Sequence, residues 1–99
     1  MRSLIGRLNP VFDSRIRLGI MAALAVRDAV DFTALRTLLD LTDGNLASHM
    51  AVLEKHRYVR VRKGFIGKKP LTTYQLTETG RKVFADHLGV LEEVIRGTT

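Results

Sequence analysis

Two groups of side chains near the middle of the chain carry polar and charged groups at spacings that suit recognition of a polyanion. The first group contains small or hydrogen-bonding residues: Asp43, Gly44, Asn45, Ala47, Ser48 and His49. The second group is basic: Arg57, Arg60, Arg62, Lys63, Lys68 and Lys69. The first group offers donors and acceptors with little bulk, as base edges in a DNA groove require, and the second offers cations for phosphates.

Positive charge is concentrated around the second group. The chain has 99 residues and a net charge of +6. Residues 55–77 contain seven basic residues and no acidic ones, which leaves nine basic and ten acidic residues for the remainder. This local excess predicts a polyanionic partner, whereas a solvated basic hairpin without any partner is the alternative on charge alone.

The residue types exclude several kinds of chemical site. The chain has no cysteine, so disulfides, zinc–thiolate sites and cysteine nucleophiles are excluded. Its three histidines are widely separated, and Ser48 and His49 are adjacent, so their side chains diverge and do not form a nucleophile–base pair. Gly64 and Gly67 lack the Lys-Ser/Thr pair of a phosphate-binding loop. We therefore expect no enzymatic activity, no metal and no cofactor.

No targeting or membrane segment is predicted. Arg7 interrupts the apolar run at the N-terminus, and no stretch approaches the ~18–20 apolar residues of a membrane span. The expectation is a single cytoplasmic domain, residues 1–99.

The elements that would position both groups follow from hydrophobic spacing. Leu46, Met50 and Leu53 recur at i, i+4 and i+7, which predicts a helix with the first group on its opposite face. A linker of about three residues before this helix predicts the steep crossing of a helix-turn-helix. The predicted elements are a first helix at about 10–26, a helix-turn-helix at 32–56, a wing at 58–76 and a C-terminal helix at 78–96. The fold class is mainly α with a small β-hairpin (α+β).

Capping residues predict where the helices begin. The first helix has two possible starts, Asn9-Pro10 and Asp13-Ser14. Asp31, Thr42 and Thr77 are suitable caps for the later helices. Residues 1–8 are expected to be either a frayed arm or a segment that contacts a partner.

Alternation of apolar and basic residues over 58–63 predicts the first wing strand, and residues 71–76 predict the second. The glycine-containing segment 64–70 is expected to be a loop. Arg60 and Arg62 then lie on the polar face of a strand, with Lys68 and Lys69 at the tip.

The C-terminal helix carries an apolar stripe wider than one small domain covers, which predicts burial against a second copy. The expected interface between two copies contains residues from the first and last helices: Phe12, Ile16, Phe84, Leu88, Leu91 and Ile95.

With these pieces in place, the chain resembles winged-helix transcriptional regulators of the MarR/ArsR type, especially short stand-alone winged helix DNA-binding domain proteins. The resemblance spans roughly residues 8–95, and its longest pieces are Leu41-Thr-Asp-Gly-Asn-Leu-Ala-Ser-His-Met and Thr72-Thr-Tyr-Gln-Leu-Thr-Glu-Thr-Gly-Arg. It implies that residues 43–56 form the recognition helix and that the basic hairpin is the wing. The family usually has glycine just before the first wing strand, where this chain has His56-Arg57-Tyr58, so the turn there is expected to differ.

The residues and the resemblance together predict a homodimer that binds double-stranded DNA sequence-specifically and regulates transcription. The resemblance favours a repressor over an activator. Two other functions remain open: a winged-helix module that binds proteins, and an architectural protein that binds DNA without sequence preference. No polar cluster in the sequence identifies a small-molecule effector.

Overall fold

A computed structural model describes residues 3–97, in which helices and strands follow one another in the predicted order. Their bounds are α1 Leu4–Arg7, α2 Arg15–Ala25, β1 Val30–Asp31, α3 Phe32–Leu39, α4 Asp43–Lys55, β2 Val59–Ile66, β3 Lys69–Leu76 and α5 Glu78–Arg96. A 3-10 helix, Pro10–Asp13, separates α1 from α2. The predicted fold class, a mainly helical α+β winged helix-turn-helix, is confirmed.

The N-terminal region differs from the single first helix expected over residues 10–26. The Asn9 side chain accepts from the Val11 N–H and begins the 3-10 helix, and the Ser14 side chain accepts from the Arg17 N–H and begins α2. Both candidate caps are therefore used, and the extended backbone of Ser14 breaks the helix between them. Residues 4–7 form α1, which packs against α5 through an Arg7–Glu93 ion pair (2.7 Å); residues 1 and 2 lie outside the described chain.

The helix-turn-helix is closed by local hydrogen bonds. Asp40 ends α3 in a left-handed conformation (φ 53°), and its N–H donates to the carbonyl of Thr37. Thr42 then caps α4 by accepting from the Asn45 N–H at 3.1 Å, as predicted. Leu35 is the only completely buried residue of α3, and Leu38 is 51% exposed.

The sheet has three antiparallel strands in the order β1-β3-β2. Val30 and Asp31 pair with Tyr74 and Thr73, so the short extended stretch before α3 becomes a strand through pairing distant in sequence. The wing register runs from Val59 opposite Leu76 to Ile66 opposite Lys69.

The wing loop is shorter than the expected segment 64–70. Both strands continue to a two-residue turn, Gly67-Lys68, and Gly67 has a positive φ of 62°. Positive φ at only the first central residue fits a type II′ turn, which suits the twist of the strands. Lys68 is in the turn as predicted, whereas Lys69 belongs to β3.

The hydrophobic core joins α2, the helix-turn-helix and the base of the sheet. Its most deeply buried side chains are Ile20, Met21, Leu24, Leu35, Leu46, Met50 and Leu53. Phe12 and Phe84 also belong to this core, at 3% and 5% exposure, and their rings meet edge to face at 5.6 Å. Their assignment to an interface between copies is therefore wrong, because the 3-10 helix of the same chain covers that part of α5.

The helices described over residues 3–97 are too short or too polar to cross a lipid bilayer.

Candidate nucleic-acid interface

Helix α4 presents a small, polar and exposed face. Its buried side chains Leu46, Met50 and Leu53 fix its orientation on the core. The predicted residues Gly44, Asn45, Ala47 and Ser48 are all exposed. A Cβ placed on Gly44 would meet no atom of another element within 4 Å, so no other described element crowds the helix at this position.

Two of these residues offer groups that can bind base edges. Within residues 3–97, the side-chain amide of Asn45 makes no hydrogen bond, so both its donor and its acceptor are available. The Ser48 hydroxyl donates to the carbonyl of Asn45 at 3.3 Å, a long local bond that a better partner can replace.

Asp43 is already paired within the helix-turn-helix. Its carboxylate accepts from Arg36 Nη1 at 2.7 Å, with the two side chains 70% and 36% exposed. This ion pair ties the first turn of α4 to α3, and the carboxylate also suits the positive end of the helix dipole. An exposed pair of this kind contributes about 0–1 kcal/mol, so its main effect here is on geometry and local charge.

His49 is half-buried against α2, where its contact with Arg17 determines the tautomer of the neutral ring. Arg17 Nη1 lies 3.0 Å from His49 Nδ1, and Arg17 Nε donates to the Val11 carbonyl at 2.6 Å. A guanidinium can only donate, so Nδ1 must be the acceptor and a neutral His49 carries its proton on Nε2. The second ring nitrogen is thereby defined as a donor.

Arg17 was not among the sequence-predicted site residues. The apolar spacing of α2 places it off the core stripe and gives no indication of its partner. The contact depends on how α2 packs against α4, and no local sequence signal links residues 17 and 49.

The register of the wing distributes its basic side chains over both faces of the hairpin. Alternate residues of a strand point the same way, so one face of the hairpin carries Arg60, Arg62 and Ile66. Lys69 lies on this face too, because it is the cross-strand partner of Ile66. Lys63 lies on the opposite face, and Lys68 is in the turn. All five are exposed.

Arg57 joins α4 to the wing with a left-handed backbone, φ 63°. Its carbonyl accepts from Thr77 Oγ1 at 2.6 Å, which attaches the junction to the start of α5. Arg57 thus has a glycine-type conformation in the His56-Arg57-Tyr58 segment that precedes the first wing strand. Its exposed side chain remains available beside the wing.

The base of the wing is fixed from two other directions. The Asn9 amide donates to the Tyr58 hydroxyl at 3.1 Å, and the Asn9 backbone N–H donates to His87 Nδ1 at 3.1 Å. Gly80 of α5 packs directly on the backbone of Tyr58, where an added Cβ would overlap the carbonyl group. The wing, α5 and the N-terminal segment therefore meet around Tyr58.

His87 is buried at 6% exposure, beside Phe12, whose ring centroid lies 5.0 Å away. Burial lowers the pKa of His87 from its ordinary value of 6.5, and the nearby Asp13 carboxylate opposes this shift. The bond from the Asn9 N–H needs an unprotonated Nδ1, so the native contact uses the neutral ring. Within the described residues, no three His, Asp or Glu side chains are grouped so that they could hold a metal ion.

The remaining predicted interface residues are at the surface of α5 and α2. Leu88 and Ile95 are 45% and 84% exposed, whereas Ile16 and Leu91 are half-buried. Ile5 of α1 and Val94 add to the exposed apolar surface of this region, at 77% and 47%.

Comparison with known proteins agrees with this geometry. A family model described as winged helix DNA-binding domain matches residues 16–95. An uncharacterized protein of Methanocaldococcus jannaschii is 33% identical over 78 residues, which cover 79% of this chain and 85% of the relative.

Solved structures show the same fold. A transcriptional regulator homologue from Pyrococcus horikoshii OT3 superposes with a TM-score of 0.77 and 37% identity, covering 88% of this chain and 91% of that chain. The transcriptional regulator BldR from Sulfolobus solfataricus has a TM-score of 0.65 at 19% identity, covering 85% of this chain and 59% of that chain, and shares the fold. The match of the family model over most of the chain shows that this chain belongs to the winged helix DNA-binding domain family.

Proposed function

We propose that this protein is a cytoplasmic homodimer that binds double-stranded DNA sequence-specifically and represses transcription by occupying its operator. The observation that carries the proposal is the exposed polar face of α4, with the free amide of Asn45, beside an exposed cationic hairpin. Family membership supports DNA as the partner.

In this mechanism each copy places α4 in a major groove. Gly44 and Ala47 allow close approach, Asn45 is the candidate for a bidentate contact to adenine, and Ser48 and the Nε2–H of His49 supply further bonds. Two related copies would recognise half-sites about one helical turn apart, ~34 Å between centres.

The wing would act mainly through charge. Its exposed arginines and lysines, with Arg57, would contact phosphates in or beside the neighbouring minor groove, which fixes register and adds affinity with little sequence choice. If about three of them per copy contact phosphate, the logarithm of the binding constant falls with the logarithm of salt concentration at a slope near −5.

The proposal is tested by fluorescence anisotropy with two labelled duplexes, one random and one from upstream of the protein's own gene, at low and physiological salt. We expect salt-steep binding that favours the upstream duplex. Equal binding to both would favour an architectural protein, and absence of binding at low salt would favour a protein-binding module.

Two variants separate base contacts from phosphate contacts. Asn45→Ala should reduce the preference for the operator by about 1–3 kcal/mol while leaving binding to random DNA nearly unchanged. Lys68→Ala should weaken binding to both duplexes alike and make the salt slope shallower. Equal losses on operator and random DNA for Asn45→Ala would refute its assignment as a base contact.

A further inference from the structure

The end of the wing is apolar, although the hairpin as a whole is basic. Phe65 and Ile66 are 73% and 67% exposed and directly precede the Gly67-Lys68 turn. Single exposed apolar residues are common on protein surfaces. Here two large ones are adjacent at the end of β2, directly before the turn.

These side chains have no part in the folding core. Val59 is the only buried residue of β2, and the seven residues that follow it, up to Ile66, are all exposed. The last buried position of the hairpin is Tyr74 of β3, opposite Val61, so at ~3.3 Å per residue the hairpin extends about 17 Å beyond it. Across the hairpin, Phe65 and Ile66 face Pro70 and Lys69, which are also exposed.

The two apolar side chains lie among basic residues along the strands and at the turn. Consecutive strand residues point to opposite faces, so Phe65 and Ile66 place one large apolar side chain on each face of the hairpin near its turn. The surrounding basic side chains are Arg60, Arg62, Lys63, Lys68 and Lys69. No acidic residue occurs between positions 55 and 77, so a polyanion is attracted to this hairpin, whereas the same hairpin of a second copy is repelled.

We propose that Phe65 and Ile66 form a wedge that enters the minor groove of duplex DNA, partly unstacks a base step and bends the duplex. This inference rests on the proposed function and adds a deformation of the DNA to it. The minor groove is only ~6 Å wide, so it admits the side chains of a hairpin tip and excludes the body of a two-stranded ribbon.

The length of the hairpin and the chemistry of its side chains both suit binding to the minor groove of DNA. The next minor groove lies about half a helical turn, ~17 Å, from the centre of the major groove that holds α4, and this distance is close to the ~17 Å by which the hairpin projects. Phenylalanine and isoleucine are among the side chains that act as wedges between base steps, and the lysines beside them can hold the flanking phosphates.

The test uses the full-length protein and two labelled duplexes of one random sequence, one intact and one with a central two-base mismatch that is already unstacked. Bending is followed by energy transfer between dyes at the duplex ends, and affinity by titration. Wild type should bend the intact duplex and bind the mismatched one ~10-fold more tightly, because unstacking has already occurred there.

The double variant Phe65→Ser/Ile66→Ser should bind both duplexes with similar affinity and leave the intact one straight. Both positions are exposed, so the variant should keep the fold. Lys68→Ala is the matched control: it should bind both duplexes more weakly but keep their ratio and the bend.

The outcomes separate this inference from the proposed function. Wild type that binds DNA without bending it and without preferring the mismatch would overturn the wedge alone. Absence of DNA binding would overturn both proposals. A double variant that loses a dimeric mass seen for wild type would assign the tip to contact between copies and overturn the wedge.

Discussion

Arg57 adopts a conformation that usually belongs to glycine, at the junction of α4 and the wing. A left-handed backbone costs a residue with a side chain roughly 1–2 kcal/mol. Because Arg57 is exposed, this cost is not recovered by packing. A contact between its guanidinium and phosphate would give the residue a function that offsets the cost.

The variant Arg57→Gly should therefore be more stable and bind DNA more weakly. We expect the free energy of unfolding, measured in urea, to rise by about 1 kcal/mol, with a loss of affinity for every duplex. Arg57→Asn is the control, since asparagine tolerates the left-handed region but removes the charge. A variant Arg57→Gly with unchanged affinity would show that Arg57 makes no phosphate contact.

The residues of the α4 face could be predicted from sequence because three core positions determine the opposite side of a helix. Gly44, Asn45 and Ser48 are exposed as that geometry requires. The bond between Arg17 and His49 could not be predicted, since it forms only when two helices 32 residues apart in sequence pack together. The contact between His87 and Asn9 could not be predicted either, because these residues lie 78 positions apart in the chain.

At the level of elements, two glycines of α5 allow a direct comparison. Gly80 packs on the Tyr58 backbone, whereas a Cβ on Gly89 would meet nothing within 4 Å. Gly80→Ala should lower the free energy of unfolding by about 2–3 kcal/mol, because backbone cannot move aside as a flexible side chain can. Gly89→Ala should raise it by about 0.5–1 kcal/mol, since alanine favours the helix.

Both variants are measured by chemical denaturation under the same conditions. Equal stability of Gly80→Ala and wild type would contradict the close contact at Tyr58. A loss of stability for Gly89→Ala that grows with protein concentration would place the backbone of another copy against Gly89.

The docking of the N-terminal segment on α5 should make stability depend on pH through His87. The folded-state pKa of His87 is lowered below its ordinary value of 6.5, so the unfolded chain takes up a proton first as the pH falls. The contribution of His87 is thus fully present above pH 6.5 and is lost progressively below it, until the folded-state pKa is reached.

Denaturation at pH 7.5 and pH 5 measures this effect by comparing wild type with His87→Asn. Asparagine offers the Asn9 N–H an acceptor that does not titrate, so the variant should lose less stability than wild type between these two values. Identical pH dependence in the two proteins would exclude His87 as the cause.

Helix starts were the most predictable elements, because Asp31, Thr42 and Thr77 act on the N–H groups of their own first turns. Strand β1 and the full length of the wing depend on pairing between distant or exposed residues, for which local patterns carry little information. Hydrophobic spacing likewise indicated that Phe12 and Phe84 would be buried, but it did not indicate which surface would cover them. That surface is the protein's own 3-10 helix and α5.

At the scale of the whole molecule, the chain is elongated. Its principal extents are 55 × 25 × 21 Å, and its radius of gyration is 15.0 Å. A compact domain of this length would have a radius near 13 Å. The projecting wing and the exposed apolar end of α5 leave surface that the single copy does not cover.

We expect light scattering at tens of micromolar to give twice the chain mass of 11.1 kDa. Leu88→Asp/Ile95→Asp should yield a monomer, because charges would replace the apolar surface of α5. The control Val26→Asp changes another exposed apolar residue, 78% exposed at the end of α2, and should leave the mass unchanged. A monomeric mass for wild type would refute the proposed dimer.

The projecting hairpin also has a consequence for motion. Beyond Val59 the first wing strand has no buried residue, so few apolar contacts oppose local opening of the outer part of the wing. Its amide hydrogens should exchange with solvent much faster than those of α2 or α4, without unfolding of the core. Contact with DNA would then slow this exchange, and the affinity gained through the wing would be partly offset by the entropy lost when the hairpin is held still.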